Sequence, residues 1–141
     1  MSNWERFIKV PAIMYVGGDR PWELMSDGLY LTSVPEIVDK MGGFVFVPRG
    51  YRTDLASVPR LPFAYWRAGG KGSLPAILHD YLYEHGDGIS RKAADDVFAE
   101  AMKEVEDPSW FTTRWLMYSA VRLGGGRSWR RYRRERELAT E

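Results

Sequence analysis

Residues 73–106 read "SLPAILHDYLYEHGDGISRKAADDVFAEAMKEVE". Leu74, Ile77, Leu78, Tyr81 and Leu82 share one face at helical spacing, which predicts a helix over about 74–85. Ser73 stands where a helix is capped, and Pro75 falls in the first turn, where proline is tolerated. Gly86-Asp87-Gly88 then breaks the chain, and Ser90 can cap a second helix over about 91–106. The buried face of that helix would carry Ala94, Val97, Phe98, Ala101, Met102 and Val105. Two helices joined by so short a turn form an antiparallel pair.

The polar residues of this pair carry the chemistry. His79 and Tyr83 lie four residues apart on the other side of the first helix, with Asp80 beside them. That side is not apolar, so packing alone does not call for a histidine there. Asp95 sits at the edge of the apolar face of the second helix, next to Phe98 and Met102, while Asp96 points towards solvent. Antiparallel packing lets Asp95 reach an imidazole nitrogen of His79. Such a dyad fixes the tautomer of the ring and stabilises its charged form. The other nitrogen can then take a proton from water. Asp80 is left over for a hard cation. Calcium requires about 6–8 oxygen ligands, and Asp54 and carbonyls of the 54–72 loop are candidates for the rest. The same residues also fit a plain structural role: a hydrogen-bonded His79, a solvated Asp80, and an Asp95 complementing its helix dipole.

Upstream, the chain looks β-rich. "FIKV" and "AIMYV" are short strand-like runs punctuated by Pro11 and Gly17-Gly18. "WELMSDGLYLT" reads as a hairpin turning at Asp27-Gly28, and "GGFVFVPRGYRT" as another bending at Pro48 and Gly50. Asp54 and Ser57 in "TDLASVP" form a turn or, for Asp54, a metal ligand. Phe63, Tyr65 and Trp66 serve as core cover or as a lipid-facing or partner-facing patch. Downstream, "WFTTRWLMYSAVRL" predicts a third helix ending at Gly124-Gly125-Gly126, which reads as a linker. Residues 127–141 then form an exposed basic helical tail with six Arg against three Glu. The expected organisation is a single α+β domain over 1–126, with a small N-terminal antiparallel sheet before three helices, and the tail as a separate unit.

Composition narrows the function classes. The chain has 141 residues, 45% of them hydrophobic, and a net charge of +1, which suits one globular domain. No cysteine is present, which removes disulfides, cysteine nucleophiles and thiolate zinc sites. Small secreted domains usually carry disulfides, so an intracellular or virion setting is expected. The N-terminus lacks an apolar signal core, and no run has the length of a spanning helix. Only His79 and His85 are available for zinc, six residues apart, and Ser57 lies outside any G-x-S-x-G elbow. In the tail, Trp129, Arg130, Arg131, Arg133 and Arg134 offer guanidinium and aromatic groups together. They form either a solvated helix end or a surface for another subunit, anionic lipid or another polyanion.

"VPRGYRTDLASVPR", "AILHDYLY" and "SRKAADDVF", in this order, resemble the uncharacterised phage and prophage family catalogued as domain of unknown function 1353, over about Val47 to Leu123. The resemblance implies a protein encoded by tailed phages. It would be made in the host cytoplasm and carried into the particle, acting as a virion or tail-associated protein that binds other virion subunits or itself. "HDYLY" followed by "ADDVF" is also similar to the paired helices of the phospholipase A₂ superfamily. That likeness implies a calcium-dependent ester hydrolase with His79 as general base, Asp80 as calcium ligand, and Tyr83 and Asp95 supporting His79. The chain departs from that superfamily in having no cysteines and no glycine-rich calcium loop.

Overall fold

A computed structural model describes residues 5–54, 73–103 and 118–139. The class is α+β, with antiparallel strands first and most of the helices after them. The strands are β1 (Phe7–Lys9), β2 (Ile13–Tyr15), β3 (Trp22–Leu24), β4 (Gly28–Leu31), β5 (Phe44–Val47) and β6 (Arg52–Thr53). They form two three-stranded sheets, ordered β1-β4-β5 and β2-β3-β6, in place of the single sheet expected.

Neither expected hairpin forms. β3 and β4 belong to different sheets, and so do β5 and β6. The first bend fails as a hairpin because Gly28 is not in the left-handed conformation that a two-residue turn requires. Its bare Cα instead packs on Pro11, where a Cβ would meet the ring at 3.2 Å. Gly50 is left-handed, with φ 90°, but its N–H donates to the Leu24 carbonyl and so ties the second bend to β3. The two corners also hold each other, since Asp27 Oδ1 accepts from the Arg49 N–H at 2.8 Å. The hairpin that does form joins β2 to β3 across Gly17 and Gly18, both left-handed, and pairs Tyr15 with Trp22.

A seven-residue helix, α1 (Pro35–Met41), interrupts the β4–β5 connection and was not anticipated. Pro35 opens it and the left-handed Gly42 closes it, the usual asymmetry of helix ends. Helix α2 (Ser73–His85) matches the expected helix over 74–85 within a residue at its start. Helix α3 (Arg91–Met102) begins where expected, with the Ser90 hydroxyl accepting from the Ala93 N–H. It is described as far as Met102, and the expected continuation to 106 runs beyond the described residues. Of the expected third helix, 118–124 is helical and the earlier part lies outside the described residues, as do Ser57, Phe63, Tyr65 and Trp66. Helix α4 (Gly126–Ala139) follows.

Helix α2 is the centre of the molecule. Ile77, Leu78 and Leu82 join Tyr30, Val45, Val47 and Tyr51 of the strand region and Ala94, Val97 and Ala101 of α3 in one core. The side of α2 read as polar is buried as well: His79, Asp80 and Tyr83 are all inaccessible to solvent. With sheets on one side and α3 and α4 on others, even the polar side of this helix must be packed. Nor does α4 stand free. Tyr132 is buried in the core, and Trp129 packs on it. The Trp129 ring meets Tyr83 edge-on at 5.2 Å.

Candidate functional site

Asp95 is the shared acceptor of a buried cluster. His79 on α2 places Nε2 2.6 Å from Asp95 Oδ1. One helical turn on, the Tyr83 hydroxyl donates to the same oxygen at 2.6 Å. Arg122, from the segment 118–124, donates through Nη1 to Asp95 Oδ2 at 2.8 Å. Two chain segments therefore converge on one carboxylate of a third. The side chains of His79 and Asp95 are both fully buried, so Arg122 supplies the compensating charge that a buried carboxylate needs. Arg91 stands one turn before Asp95, 3.9 Å from Oδ2, and donates to the Tyr83 hydroxyl and to backbone carbonyls at Val121 and Arg122. Burial, with Asp95 as acceptor, raises the Tyr83 hydroxyl well above its ordinary pKa, which keeps it a donor. The His79 ring packs against Tyr83 at 4.2 Å and Phe98 at 5.1 Å.

The contact between His79 and Asp95 that the sequence pattern anticipated is present, and the same geometry closes it off. Asp95, at the edge of the apolar face of α3, lies fully inside the protein. Asp96 is partly exposed and is held by Lys92 at 2.6 Å and by the Tyr118 hydroxyl at 2.7 Å.

Asp80, about 100° round α2 from His79, forms a second polar cluster. It is fully buried and not solvated. Hydroxyls serve it from three directions: Tyr51 at 3.1 Å, Thr53, and Tyr132 at 3.4 Å. The Tyr51 hydroxyl is also 3.1 Å from Glu84 Oε2, and Glu84 Oε1 pairs with Arg20 at 2.6 Å. Burial, then the negative charges of Asp80 and Glu84, raise Tyr51 well above its ordinary range. Asp54, the other candidate metal ligand, is half-buried next to Thr53. Among the described residues, no three His, Cys, Asp or Glu side chains converge as a metal site.

The Arg-rich helix divides its residues between two tasks. Arg133 stacks on Trp129 at 3.8 Å and donates to the Gly86 carbonyl, and Arg136 bonds Asp87 and the Glu84 carbonyl. These two fasten α4 to the α2–α3 turn. Arg127, Arg130, Arg131 and Arg134 are exposed at spacings i, i+3, i+4 and i+7, and the Arg131 guanidinium also lies over the Tyr132 ring at 4.8 Å. Gly125, read as part of a linker, is a packing position that sequence reasoning missed. It is buried, and a Cβ there would lie 2.5 Å from the Tyr83 hydroxyl and 2.6 Å from the Val121 carbonyl. Among the described residues no helix is long and apolar enough to cross a membrane.

No curated protein and no solved structure matches the chain. A family model described as "Protein of unknown function (DUF1353)" matches residues 28–121, about two thirds of the chain. The match opens at β4, earlier than the sequence motifs suggested, and runs through His79, Asp80, Asp95 and Gly86 to Val121. By that match, which takes in both helices of the Asp95 cluster, the chain belongs to the DUF1353 family of proteins of unknown function.

Proposed function

We propose that the chain acts through protein–protein contacts as a component of a larger assembly, a phage virion or tail being the setting that the sequence resemblance implies. It would be made in the host cytoplasm and end in the particle. One contrast carries the reading. The groups suited to chemistry are sealed, whereas the outer face of the first sheet leaves Leu31, Phe44 and Phe46 39%, 44% and 47% exposed. A general base must come within hydrogen-bond reach of the proton it removes, while an apolar surface patch rimmed by polar groups is what a binding face requires. The outward stripe of Arg127, Arg130, Arg131 and Arg134 adds a cationic face suited to the carboxylates of a neighbouring subunit. Sedimentation of mature particles from a producing host tests this. The chain should travel with the particles, and Phe44→Lys should release it. A chain that remains wholly in the soluble fraction overturns the reading.

The 2.6 Å contact between His79 and Asp95, with Tyr83 on the same oxygen, favours a second reading: a calcium-dependent ester hydrolase of phospholipase A₂ type. In it His79 is the base, Asp95 and Tyr83 orient the ring, and Asp80 with Asp54 faces the cation. The described residues do not by themselves supply the oxygen set that calcium takes, and Asp80 is already engaged by hydroxyls. Anionic phospholipid vesicles, with and without calcium, separate the readings. Calcium-dependent turnover that His79→Asn abolishes would establish the hydrolase in place of the contact role.

A further inference from the structure

The sheet β1-β4-β5 ends on two strands of different character. β1 carries Lys9, shifts register between Phe7 and Lys9, and is followed by Pro11. Charge, irregularity and proline are the usual protections of a sheet edge. β5 has neither charge nor irregularity, and its proline, Pro48, comes only after the last paired residue. The strand pairs with β4 in unbroken register from Phe44↔Leu31 to Val47↔Gly28, and residues 42–48, "GGFVFVP", hold no charged side chain.

The hydrogen-bond phase shows which backbone groups β5 leaves over. The Leu31 N–H donates to the Arg6 carbonyl at 2.7 Å, so Leu31 turns its backbone towards the β1 side. The Thr32 N–H donates to the Gly43 carbonyl at 2.8 Å. By the alternation of an antiparallel ladder, Val45 and Val47 then bond β4, while Phe44 and Phe46 turn N–H and C=O outward. Among the described residues no hydrogen bond reaches those outward groups. The Phe44 and Phe46 side chains are on the solvent face, with the exposed Val38 and Met41 of α1 nearby.

We propose that β5 is a self-association edge, to which a second copy of this chain pairs antiparallel about a two-fold axis at Val45. The inference rests on the contact reading above, for which it names a partner. The strand is self-complementary in this arrangement. Phe44 faces Phe46 of the second copy as a hydrogen-bonded pair, and Phe46 faces Phe44 of that copy. Each outward N–H and C=O then gains a partner, two aromatic pairs form on the outer face, and two three-stranded sheets become one of six. A two-fold axis sets each residue against the same strand of its copy, so a self-pairing edge must be free of like charges. An edge without charge gives a foreign partner little to select and gives its own copy nothing to repel.

Sedimentation equilibrium of the full chain, from low micromolar to near-millimolar concentration, tests the proposal. The mass should rise from 16.3 kDa towards twice that value, and Phe46→Lys should hold it at the monomer while circular dichroism shows an unchanged fold. Because the chain has no cysteine, register can be read independently in a mixture of Phe44→Cys and Phe46→Cys chains under mild oxidation. Paired residues lie about 5.5 Å apart, within the roughly 4.4–6.8 Å that a disulfide spans. In an equal mixture, mixed disulfides should therefore exceed by far the two-to-one ratio over either homodimer that random pairing gives. A wild-type chain that stays monomeric throughout, a Phe46→Lys chain that still doubles, or cysteine pairing without preference overturns the proposal. A monomeric chain that still travels with particles would overturn self-pairing alone and leave the contact reading standing.

Discussion

Gly125 presents bare backbone to the Tyr83 hydroxyl, at a distance where an added Cβ would sit 2.5 Å from the oxygen. Tyr83 is thereby kept on Asp95 while the chain passes from the segment 118–124 into α4. Gly125→Ala should lower stability by about 1–3 kcal/mol, the usual cost of overpacking. Tyr83→Phe in the same chain should recover part of the loss, because it removes the nearest clashing atom, although the Val121 carbonyl remains close. Urea midpoints of the two single variants and the double variant measure both effects.

Asp95 serves His79, Tyr83 and Arg122 together. Asp95→Ala should cost about 3–5 kcal/mol, because it leaves Arg122 and the buried His79 without their acceptor. The loss should not add to that of Tyr83→Phe, since the two substitutions break one shared contact. Denaturant unfolding of the cycle reads the coupling, and additive losses would argue against a single cluster.

Glu100 links α3 to the first sheet, accepting from Tyr30 at 2.9 Å and from the Ser33 hydroxyl at 2.6 Å. Burial pushes its carboxyl up, but hydrogen bonds from Ser33, Thr32 and Tyr30 outweigh that and hold it below the usual 4.5. A carboxylate depressed in the folded state contributes stability above its unfolded pKa and loses it as pH falls through the folded value. The melting temperature should therefore fall as pH drops from about 4.5. Glu100→Gln should melt lower than wild type at neutral pH and show a shallower acid decline. Parallel declines for the two proteins would remove Glu100 from the account.

Helix α4 is anchored by Tyr132, whose ring is buried and whose hydroxyl points at Asp80. Tyr132→Ala should cost about 3–5 kcal/mol, as other large aromatic truncations in cores do. Arg127→Ala and Arg134→Ala, on the exposed side, should stay within about 0.5 kcal/mol of wild type. Thermal melts of the three variants distinguish a docked helix from a detachable tail.

The helices α2 and α3 were legible because period, caps and breakers agreed, and the antiparallel reading placed His79 against Asp95. The burial of that pair was not legible. A helical wheel shows which side is polar, but only the tertiary arrangement shows that α4 covers a polar side. The two failed hairpins share one cause. Asp-Gly and Pro-Arg-Gly do mark bends at 27–28 and 48–50, but a bend specifies a change of direction and not the strand that pairs next. Those pairings depend on Leu24 bonding Gly50 and Tyr51, contacts distant in sequence. Helix α1 carried a readable signal, Pro35 at its start and Gly42-Gly43 after it, in a run too short for periodicity. Gly125 carried none, because three glycines in a row look like a linker until Tyr83 is seen against the middle one.

In the proposed contact role the buried His79–Asp95 pair is structural and the surface does the work. The protein has two histidines, and their side chains differ sharply: His85 is 49% exposed and His79 0%. Treating the native chain with diethyl pyrocarbonate and locating the adducts by peptide mass spectrometry compares them directly. The account predicts rapid modification of His85 and protection of His79 until the protein unfolds. Modification of His79 in the native state at a rate comparable to His85 would contradict it.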